Sequence, residues 1–385
     1  MTFERLGANR VAERERIGRV LEQLNNWIGP QGVSGACAAV WRGGELVATH
    51  AAGEAYPGTP VEPDTLFALA SVTKPVAASV VLSMVEEGLI ALDESVVRFV
   101  PEFGAGPEPD AEGVNRELER YRRQITVRQL LAHTSGLPED MASGRLRYVD
   151  KHDVATMTDV MCRLPLRAIP GSEHLYSNAG FAVLGRLVER VTGNDFWDEA
   201  RARVLDPLGM TNTVARPDGQ IDHRIARVTD TTHTGTDIEP YNSEYWRVNA
   251  IPWGGLFGSA PDLARFAGAF LPGGPRLLSP ATVELMTTDQ VRGVPGGVES
   301  MKVKWNPAFW GLGWEVKGDK PRHWTGELTS PRTFCHFGAA GTLLWADPAR
   351  DVALAVFGNR TTIHLWPFVP ARWSRLSNAL IAALD

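Results

Sequence analysis

Ser71-Val72-Thr73-Lys74, with Pro75 and an apolar run behind it, is the stretch of sequence that decides the fold. The ring of Pro75 would clash with a helical carbonyl four residues earlier, so a helix is predicted to begin at about Ser71. Residues three apart lie on one face of a helix, which brings the Lys74 amine to the Ser71 hydroxyl. The helix dipole at this end favours developing negative charge. The stretch therefore predicts a serine nucleophile with a lysine beside it.

An S-x-x-K spacing also arises by chance, and the alternative is a solvated lysine near a helix start. The chance is reduced here because the chain holds six lysines, and Lys74 is the one with a serine three residues before it. It is also the sole lysine in the first 150 residues. These counts favour the catalytic interpretation without deciding it.

Tyr176-Ser177-Asn178 forms a second motif, Y-x-N, in a turn-rich segment that precedes a predicted helix. Of the six tyrosines, no other has an asparagine two residues further on. A tyrosine in a loop most often contributes packing alone, and its pairing with Ser71 is what favours a role in catalysis.

The third motif is His336-Phe337-Gly338, which falls on a predicted strand near the C-terminal end of the sequence. A similar triplet, His233-Thr234-Gly235, lies in polar, turn-like sequence and is rejected. The site needs a strand that exposes backbone N–H groups to a cleft, which the later triplet can provide.

In this order the three motifs resemble those of the serine β-lactamase and DD-peptidase superfamily, and most closely its class C and family VIII carboxylesterase branches. Further segments from about Gly35 to Arg360 are similar to recurrent segments of that family. They are Phe67 to Pro75, Leu130 to Pro138 (LLAHTSGLP), Val204 to Thr213, Trp253 to Ala264 and Gly341 to Arg360. The resemblance implies an antiparallel sheet flanked by helices, with an inserted, mostly helical domain.

The resemblance also implies a role for each motif residue. Ser71 is the nucleophile, while Lys74 and Tyr176 share the proton that leaves it; which of the two is the acylation base stays open. Asn178 is expected to orient Lys74 and the substrate. The backbone N–H groups of Ser71 and Ala339 are expected to form the oxyanion hole.

Gly338, next to Ala339, is expected to let substrate approach the backbone closely. The first position of the third motif departs from the family pattern, because β-lactam-binding enzymes usually carry lysine where this chain has His336. A histidine is largely neutral at pH 7 and makes a weaker clamp for a carboxylate, which favours neutral esters as substrates. His336 has an alternative role as a structural hydrogen-bonding residue.

Three tryptophans are candidates for lining the substrate pocket: Trp253, Trp310 and Trp345. Core packing is the alternative for each of them.

Strand patterns at both ends of the chain and a helical middle predict an α/β (α+β) fold. The sheet domain is predicted to comprise residues 1–88 and 237–385, and the mostly helical inserted domain residues 89–236. The 385 residues carry a net charge of −6, and their 39 basic residues form no cluster. We therefore expect neither nucleic acid nor a membrane as partner, but a small-molecule ester.

No metal-binding or nucleotide-binding motif occurs, so neither a metal nor a cofactor is expected. The three cysteines, Cys37, Cys162 and Cys335, have no paired spacing and are predicted to be small buried residues. The absence of a signal-like N-terminal segment favours a cytoplasmic location. The sequence leaves the oligomeric state open.

The most favoured function is a carboxylesterase acting through an acyl-enzyme on Ser71. Within the family it competes with a β-lactamase, a D-amino-acid peptidase or amidase, and an acyltransferase. A non-catalytic scaffold is the alternative from another class. The presence of Ser71, Lys74, Tyr176 and Asn178 argues against that scaffold.

Overall fold

The computed structural model describes residues 3–108, 113–140, 150–362 and 368–384. The strands in chain order are β1 (Gly35–Arg42), β2 (Glu45–Tyr56), β3 (Thr59–Pro60), β4 (Phe67–Ala68), β5 (His174–Leu175), β6 (Thr213–Val214), β7 (Phe257–Gly258), β8 (Gly296–Val298), β9 (Val303–Trp305), β10 (Glu315–Val316), β11 (Phe334–Gly338), β12 (Thr342–Asp347) and β13 (Val352–Gly358).

The α-helices in chain order are α1 (Phe3–Leu21), α2 (Thr73–Glu86), α3 (Arg116–Glu119), α4 (Val127–Leu131), α5 (Val154–Met161), α6 (Asn178–Thr192), α7 (Phe196–Ala200), α8 (Glu244–Asn249), α9 (Ala260–Gly268), α10 (Pro280–Thr287) and α11 (Phe368–Leu384). A short π-helix, Arg201–Leu205, continues α7. Short 3-10 turns join several elements, and one of them, Ala70–Val72, leads into α2.

The largest sheet in the described residues has seven strands, in the order β10-β11-β12-β13-β1-β2-β3, all paired antiparallel. Its centre is β1 beside β13, with Ala36 opposite Gly358. Nearly every residue of these two strands is buried, as their short apolar sequences require when both faces are covered. Helix α9 packs on β1 and β13. The two ends of the described chain thus build one sheet.

The opposite face of the sheet packs on α11. Trp345 of β12 donates from its indole N–H to the Ser377 hydroxyl at 3.0 Å, and the ring of Phe337 lies 6.3 Å from that of Trp373. His336 lies between Cys335 and Phe337 on β11, so its side chain points to the other face of the sheet. That alternation directs His336 towards α2 and the nucleophile turn.

The middle of the chain is mostly helical, as its sequence pattern predicts, with α3 to α7 and the short strands β5 and β6. Strand β5 pairs in parallel with β8, and β6 pairs with β7, so this segment is tied to later parts of the chain. The predicted fold class, an antiparallel sheet flanked by helices with a helical middle, is confirmed.

The predicted helix after Ser71 is present but differs at its start. The residues Ala70–Val72 form a 3-10 turn, and α2 begins at Thr73, which leaves Pro75 in the first turn of the helix. The three cysteines are buried, as predicted, and their thiols are free. Among the described residues, no helix combines the length and apolar character needed to span a bilayer.

Candidate active site

The turn that carries Ser71 is held from two sides. The carbonyl of Leu69 accepts a hydrogen bond from the Thr342 hydroxyl at 3.0 Å, and its N–H donates to Leu256 at 2.9 Å. Ala70, immediately before Ser71, has a φ of 47°. A residue with a side chain rarely adopts this left-handed conformation, and it persists only where neighbouring contacts fix it. The turn therefore presents Ser71 in a fixed orientation, half-buried.

Lys74 is fully buried one turn after Ser71. Its amine donates to the Ser71 hydroxyl oxygen at 3.0 Å and to the Trp253 carbonyl at 2.8 Å. Burial lowers the pKa of Lys74 from 10.5 to about 7, while the negative charges of Glu139 and Asp140 act in the opposite direction. A substantial fraction of this amine is therefore neutral at pH 7 and can accept a proton from Ser71.

Tyr176 follows β5 and is 7% exposed. The Lys74 amine lies 4.9 Å from the centre of its ring. The phenol hydroxyl is close enough to Ser71 to interact with it electrostatically, without a hydrogen bond of normal geometry. Burial raises the pKa of Tyr176 well above 10, although the Ser71 interaction lowers it. The phenol therefore keeps its proton at neutral pH.

Asn178 is the first residue of α6, and its helix is capped by the Ser177 hydroxyl, which accepts from the Gly180 N–H. The Asn178 side-chain amide donates to Asp140 at 3.2 Å, and its oxygen is buried with no partner among the described residues. Among the described residues, Asn178 makes no hydrogen bond to Lys74, whose amine donates to Ser71 and Trp253. The role of Asn178 in orienting Lys74 and the substrate stays a prediction.

His336 is 1% exposed on β11. Its Nδ1 lies 2.9 Å from the Phe337 carbonyl, which can only accept, so Nδ1 carries the proton and Nε2 presents a lone pair. Burial, and then the charge of Lys74, lower the pKa of His336 to about 3. The third motif thus offers a neutral acceptor where a lysine would offer a cation.

Gly338 has a different role from the predicted one. A Cβ at this position would lie 2.2 Å from the Leu69 carbonyl oxygen and 2.3 Å from the Thr342 hydroxyl. The glycine therefore lets β11 approach the nucleophile turn, rather than letting substrate approach the backbone. Ala339, next along, is half-buried, and its carbonyl accepts from the Thr362 N–H at 2.9 Å. That bond fixes the backbone on which the oxyanion role would depend.

Comparison with known protein families agrees with this geometry. Residues 17–365 match the profile of the family described as Beta-lactamase. The chain belongs to the Beta-lactamase family. It is a serine hydrolase of the β-lactamase and penicillin-binding-protein superfamily, as its motifs predict.

Three similar proteins illustrate the range of this family. A putative D-alanyl-D-alanine carboxypeptidase from Escherichia coli is 28% identical over 384 residues, covering 88% of this chain and 82% of its own length. The crystal structure of a β-lactamase from Mycobacterium bovis is 30% identical, with a TM-score of 0.64, and the match covers 95% and 99% of the two chains. A family VIII carboxylesterase structure has a TM-score of 0.76 at 22% identity, covering 96% and 97%, which supports the shared fold.

The three tryptophans singled out from sequence occupy different environments in this Beta-lactamase-family chain. Trp253 contributes its carbonyl to Lys74, and Trp310 packs beside the site, 5.9 Å from the Tyr176 ring. Trp345 is fully buried between the sheet and α11, so its predicted place in the pocket is wrong. The alternative, core packing, is the correct one for Trp345.

Sequence reasoning missed Glu139, which follows the quoted segment LLAHTSGLP directly. Its carboxylate accepts from the Ser300 N–H at 2.9 Å and from the Ser300 hydroxyl at 2.5 Å. Burial raises the pKa of Glu139. With Tyr176, Leu175, Lys302 and Trp305 it lines a cavity of about 820 Å³. Two acidic residues immediately after that segment were the available signal.

A second buried polar cluster lies behind the site, on the other face of β11. The side-chain ligand atoms of Glu315, His323 and Cys335 lie within 4.8 Å of one another, a spacing that a metal ion could use. The Lys320 ammonium already lies 2.7 Å from a Glu315 oxygen, and His323 lies 3.1 Å from the same oxygen. Burial raises the pKa of Cys335 well above 9, which keeps its thiol protonated. The Glu315 carboxylate therefore already has Lys320 and His323 as partners, without a metal ion.

Proposed function

We propose that the chain is a carboxylesterase for small, neutral esters, which transfers the acyl group to Ser71 and then to water. The observation that carries the proposal is that His336 is neutral. Its Nε2 lone pair is a hydrogen-bond acceptor at the position where β-lactam-binding enzymes usually carry a lysine. A carboxylate on the substrate would meet no cation there, whereas a neutral ester loses nothing.

Acylation begins with the neutral Lys74 amine, which takes the hydroxyl proton of Ser71 as the oxygen attacks the ester carbonyl. The tetrahedral oxyanion is stabilised by the backbone N–H groups of Ser71 and Ala339, and such a donor typically contributes about 3 kcal/mol. Tyr176 donates its phenol proton to the departing alcohol oxygen, and the Lys74 ammonium then returns a proton to the phenolate. Each proton is accounted for at the end of the step.

Deacylation repeats the sequence with water as the nucleophile. Water gives a proton to Lys74 while its oxygen attacks the acyl-enzyme carbonyl, and the Ser71 oxygen regains a proton as the acid leaves. The raised pKa of Tyr176 suits a proton donor, and the lowered pKa of Lys74 suits a base. These opposite shifts support Lys74, rather than Tyr176, as the base in acylation.

The cavity beside Tyr176 supports binding of a small organic group next to the reacting bond. Its walls combine apolar Leu175 and Trp305 with both basic and acidic side chains, so no single charge dominates it. A cavity of about 820 Å³ is of the size that takes up small ligands.

The test compares hydrolysis of p-nitrophenyl acetate and of a chromogenic cephalosporin by the wild type and by Ser71→Ala. We expect ester turnover by the wild type, a loss of at least about 10³-fold in kcat for the variant, and little cephalosporin cleavage by either. Dominant cephalosporin turnover would overturn the esterase proposal in favour of a β-lactamase.

If the wild type cleaves neither compound, labelling of Ser71 by an alkyl phosphonate separates the remaining alternatives. Labelling without hydrolysis would favour a D-amino-acid peptidase or amidase, or an acyltransferase, for which D-alanyl peptides and added alcohol acceptors are the next substrates. Absence of labelling would favour the non-catalytic scaffold.

A further inference from the structure

His133 lies two residues after α4, in the loop that faces the Tyr176 segment. It is 1% exposed and has a φ of 55°, a left-handed conformation that is uncommon for a residue with a side chain. Such a backbone is retained where surrounding contacts fix it, and these sites often have a functional reason. For His133, the contacts with the Tyr176 segment suggest such a functional reason.

Both neighbours of Tyr176 are hydrogen-bonded to this single residue. The Leu175 N–H donates to the His133 carbonyl at 2.8 Å, and the Ser177 N–H donates to His133 Nδ1 at 3.0 Å. The N–H of Tyr176 itself donates in another direction, to the Gly297 carbonyl at 3.3 Å. Alternate N–H groups of an extended segment point to opposite sides, so all three bonds form together.

The imidazole ring also contacts the phenol directly. The ring centres of His133 and Tyr176 are 4.6 Å apart, and that of Phe181 is 5.3 Å from His133. Because the Ser177 N–H is a donor, Nδ1 must be the unprotonated nitrogen of a neutral imidazole. Burial lowers the pKa of His133 well below 6.5, so this acceptor persists at neutral pH.

We infer that His133 is a positioning residue for catalysis, which fixes the Tyr176 phenol against Ser71 and Lys74 through the Ser177 N–H bond to Nδ1. The inference rests on the proposed function, because it assumes that Tyr176 transfers a proton. Among the described residues, His133 makes no hydrogen bond to the Tyr176 hydroxyl or to the Lys74 amine. A displacement of about 1 Å in a proton donor can cost about 10²-fold in rate, so the bond is worth testing by kinetics.

The experiment compares His133→Asn with His133→Gln on the full chain. Asparagine places its Oδ1 where Nδ1 lies and can accept from Ser177, whereas the oxygen of glutamine lies one bond further out. We expect His133→Gln to lose about 10²-fold in kcat on p-nitrophenyl acetate with KM little changed. We expect His133→Asn to recover at least tenfold of that loss.

His174 supplies a matched control. It is equally buried, and its ring centre lies 5.7 Å from that of His133. Its ring nitrogens make no hydrogen bond of normal geometry among the described residues, and their weaker interactions are with the backbone of His174 and Gly297. His174→Asn and His174→Gln should therefore have equal kcat values. Equal kcat for the two His133 variants, with losses that follow their melting temperatures, would overturn the inference and show a purely structural role.

Hydrogen exchange on the wild type provides a measurement that no folding defect can obscure. The amides of Leu175 and Ser177 should exchange far more slowly than those of an exposed loop, and rapid exchange at Ser177 would contradict the bond. Failure of the proposed function would appear differently, as absence of ester turnover in the wild type with these amides still protected.

Discussion

Two buried lysines, Lys74 and Lys320, differ in whether a carboxylate contacts the amine. Both contact aromatic rings: the Lys74 amine lies 4.9 Å from the centre of the Tyr176 ring, and the Lys320 amine 4.2 Å from that of Trp305. Lys320 also pairs with the buried Glu315 carboxylate. Lys74 bonds to a hydroxyl and a carbonyl instead.

The difference decides what each amine can do. Burial works to raise the pKa of Glu315, but the charges of Lys320 and His323 outweigh it and the pKa falls to about 2. Glu315 therefore stays ionised. Burial lowers the pKa of Lys320 as well, but the Glu315 charge and its hydrogen bond oppose that shift and favour the ammonium. Lys74, without a carboxylate in contact, has its pKa lowered to about 7. A contacting carboxylate opposes the effect of burial on the pKa of a lysine, and among the described residues no carboxylate is hydrogen-bonded to the Lys74 amine.

The largest expected effect comes from Lys74→Met, which removes the base and keeps the volume of the side chain. We expect kcat/KM for p-nitrophenyl acetate to fall by at least about 10³-fold. The melting temperature should be unchanged or higher, because an amine buried without a carboxylate gives way to an apolar group. Retained activity would show that Tyr176 alone can act as the base.

Lys320→Met should show the reverse pattern, with a large loss of stability. It leaves the Glu315 carboxylate buried without its ammonium, which typically costs about 3–5 kcal/mol in the free energy of unfolding. The double variant with Glu315→Gln should recover most of that loss, since neither charge then remains. Urea unfolding measures the free energy of unfolding of both variants. If Lys320→Met alone is as stable as the wild type, the proposed difference between Lys320 and Lys74 is wrong.

The pH dependence of kcat/KM is the next expected effect. The Lys74 amine must be unprotonated, and its pKa is lowered to about 7, so the rate should rise through a midpoint near pH 7. Below the midpoint it should fall about tenfold per pH unit. The pKa of Tyr176 is raised, so no descending limb is expected below pH 10. A midpoint above pH 9 would contradict the lowered pKa of Lys74.

The smallest expected effect comes from Glu139→Gln. The Glu139 charge raises the pKa of Lys74, so its removal should move the midpoint of the pH profile downwards, by less than about one unit. Glu299→Gln is the matched control, because Glu299 lines the same cavity and should leave the midpoint in place. An upward shift for Glu139→Gln would contradict the electrostatic account.

The contact between Ser71 and Lys74 could be predicted because it depends on local helical spacing. The order of the motifs identified Tyr176 and His336 as site residues. Their distances from Ser71 and Lys74 could not be predicted, since these depend on packing between distant segments. The error at Trp345 has a clear cause. Strand β12 was predicted, but its register was not, and Trp345 pairs with Cys335 on the face opposite to His336.

Roles that depend on tertiary contacts were the least predictable. A glycine at Gly338 suggested room for substrate, whereas the Leu69 carbonyl fills that space. Glu315 and Lys320 lie five residues apart in an irregular segment, and no pattern in the sequence marks them as a buried pair. Similarly, nothing local predicts that His133 would bond to both neighbours of Tyr176.

The hydrogen bond from Thr342 to Leu69 joins residues 273 positions apart in the chain. A ribosome adding about 5–20 residues per second needs on the order of 15–50 s to make the second partner after the first. During that interval the nucleophile turn lacks its contact with β12, and β1 has no β13 beside it. The nascent chain therefore contains Ser71 long before the site is complete, and the apolar edge of β1 stays unpaired until β13 is made.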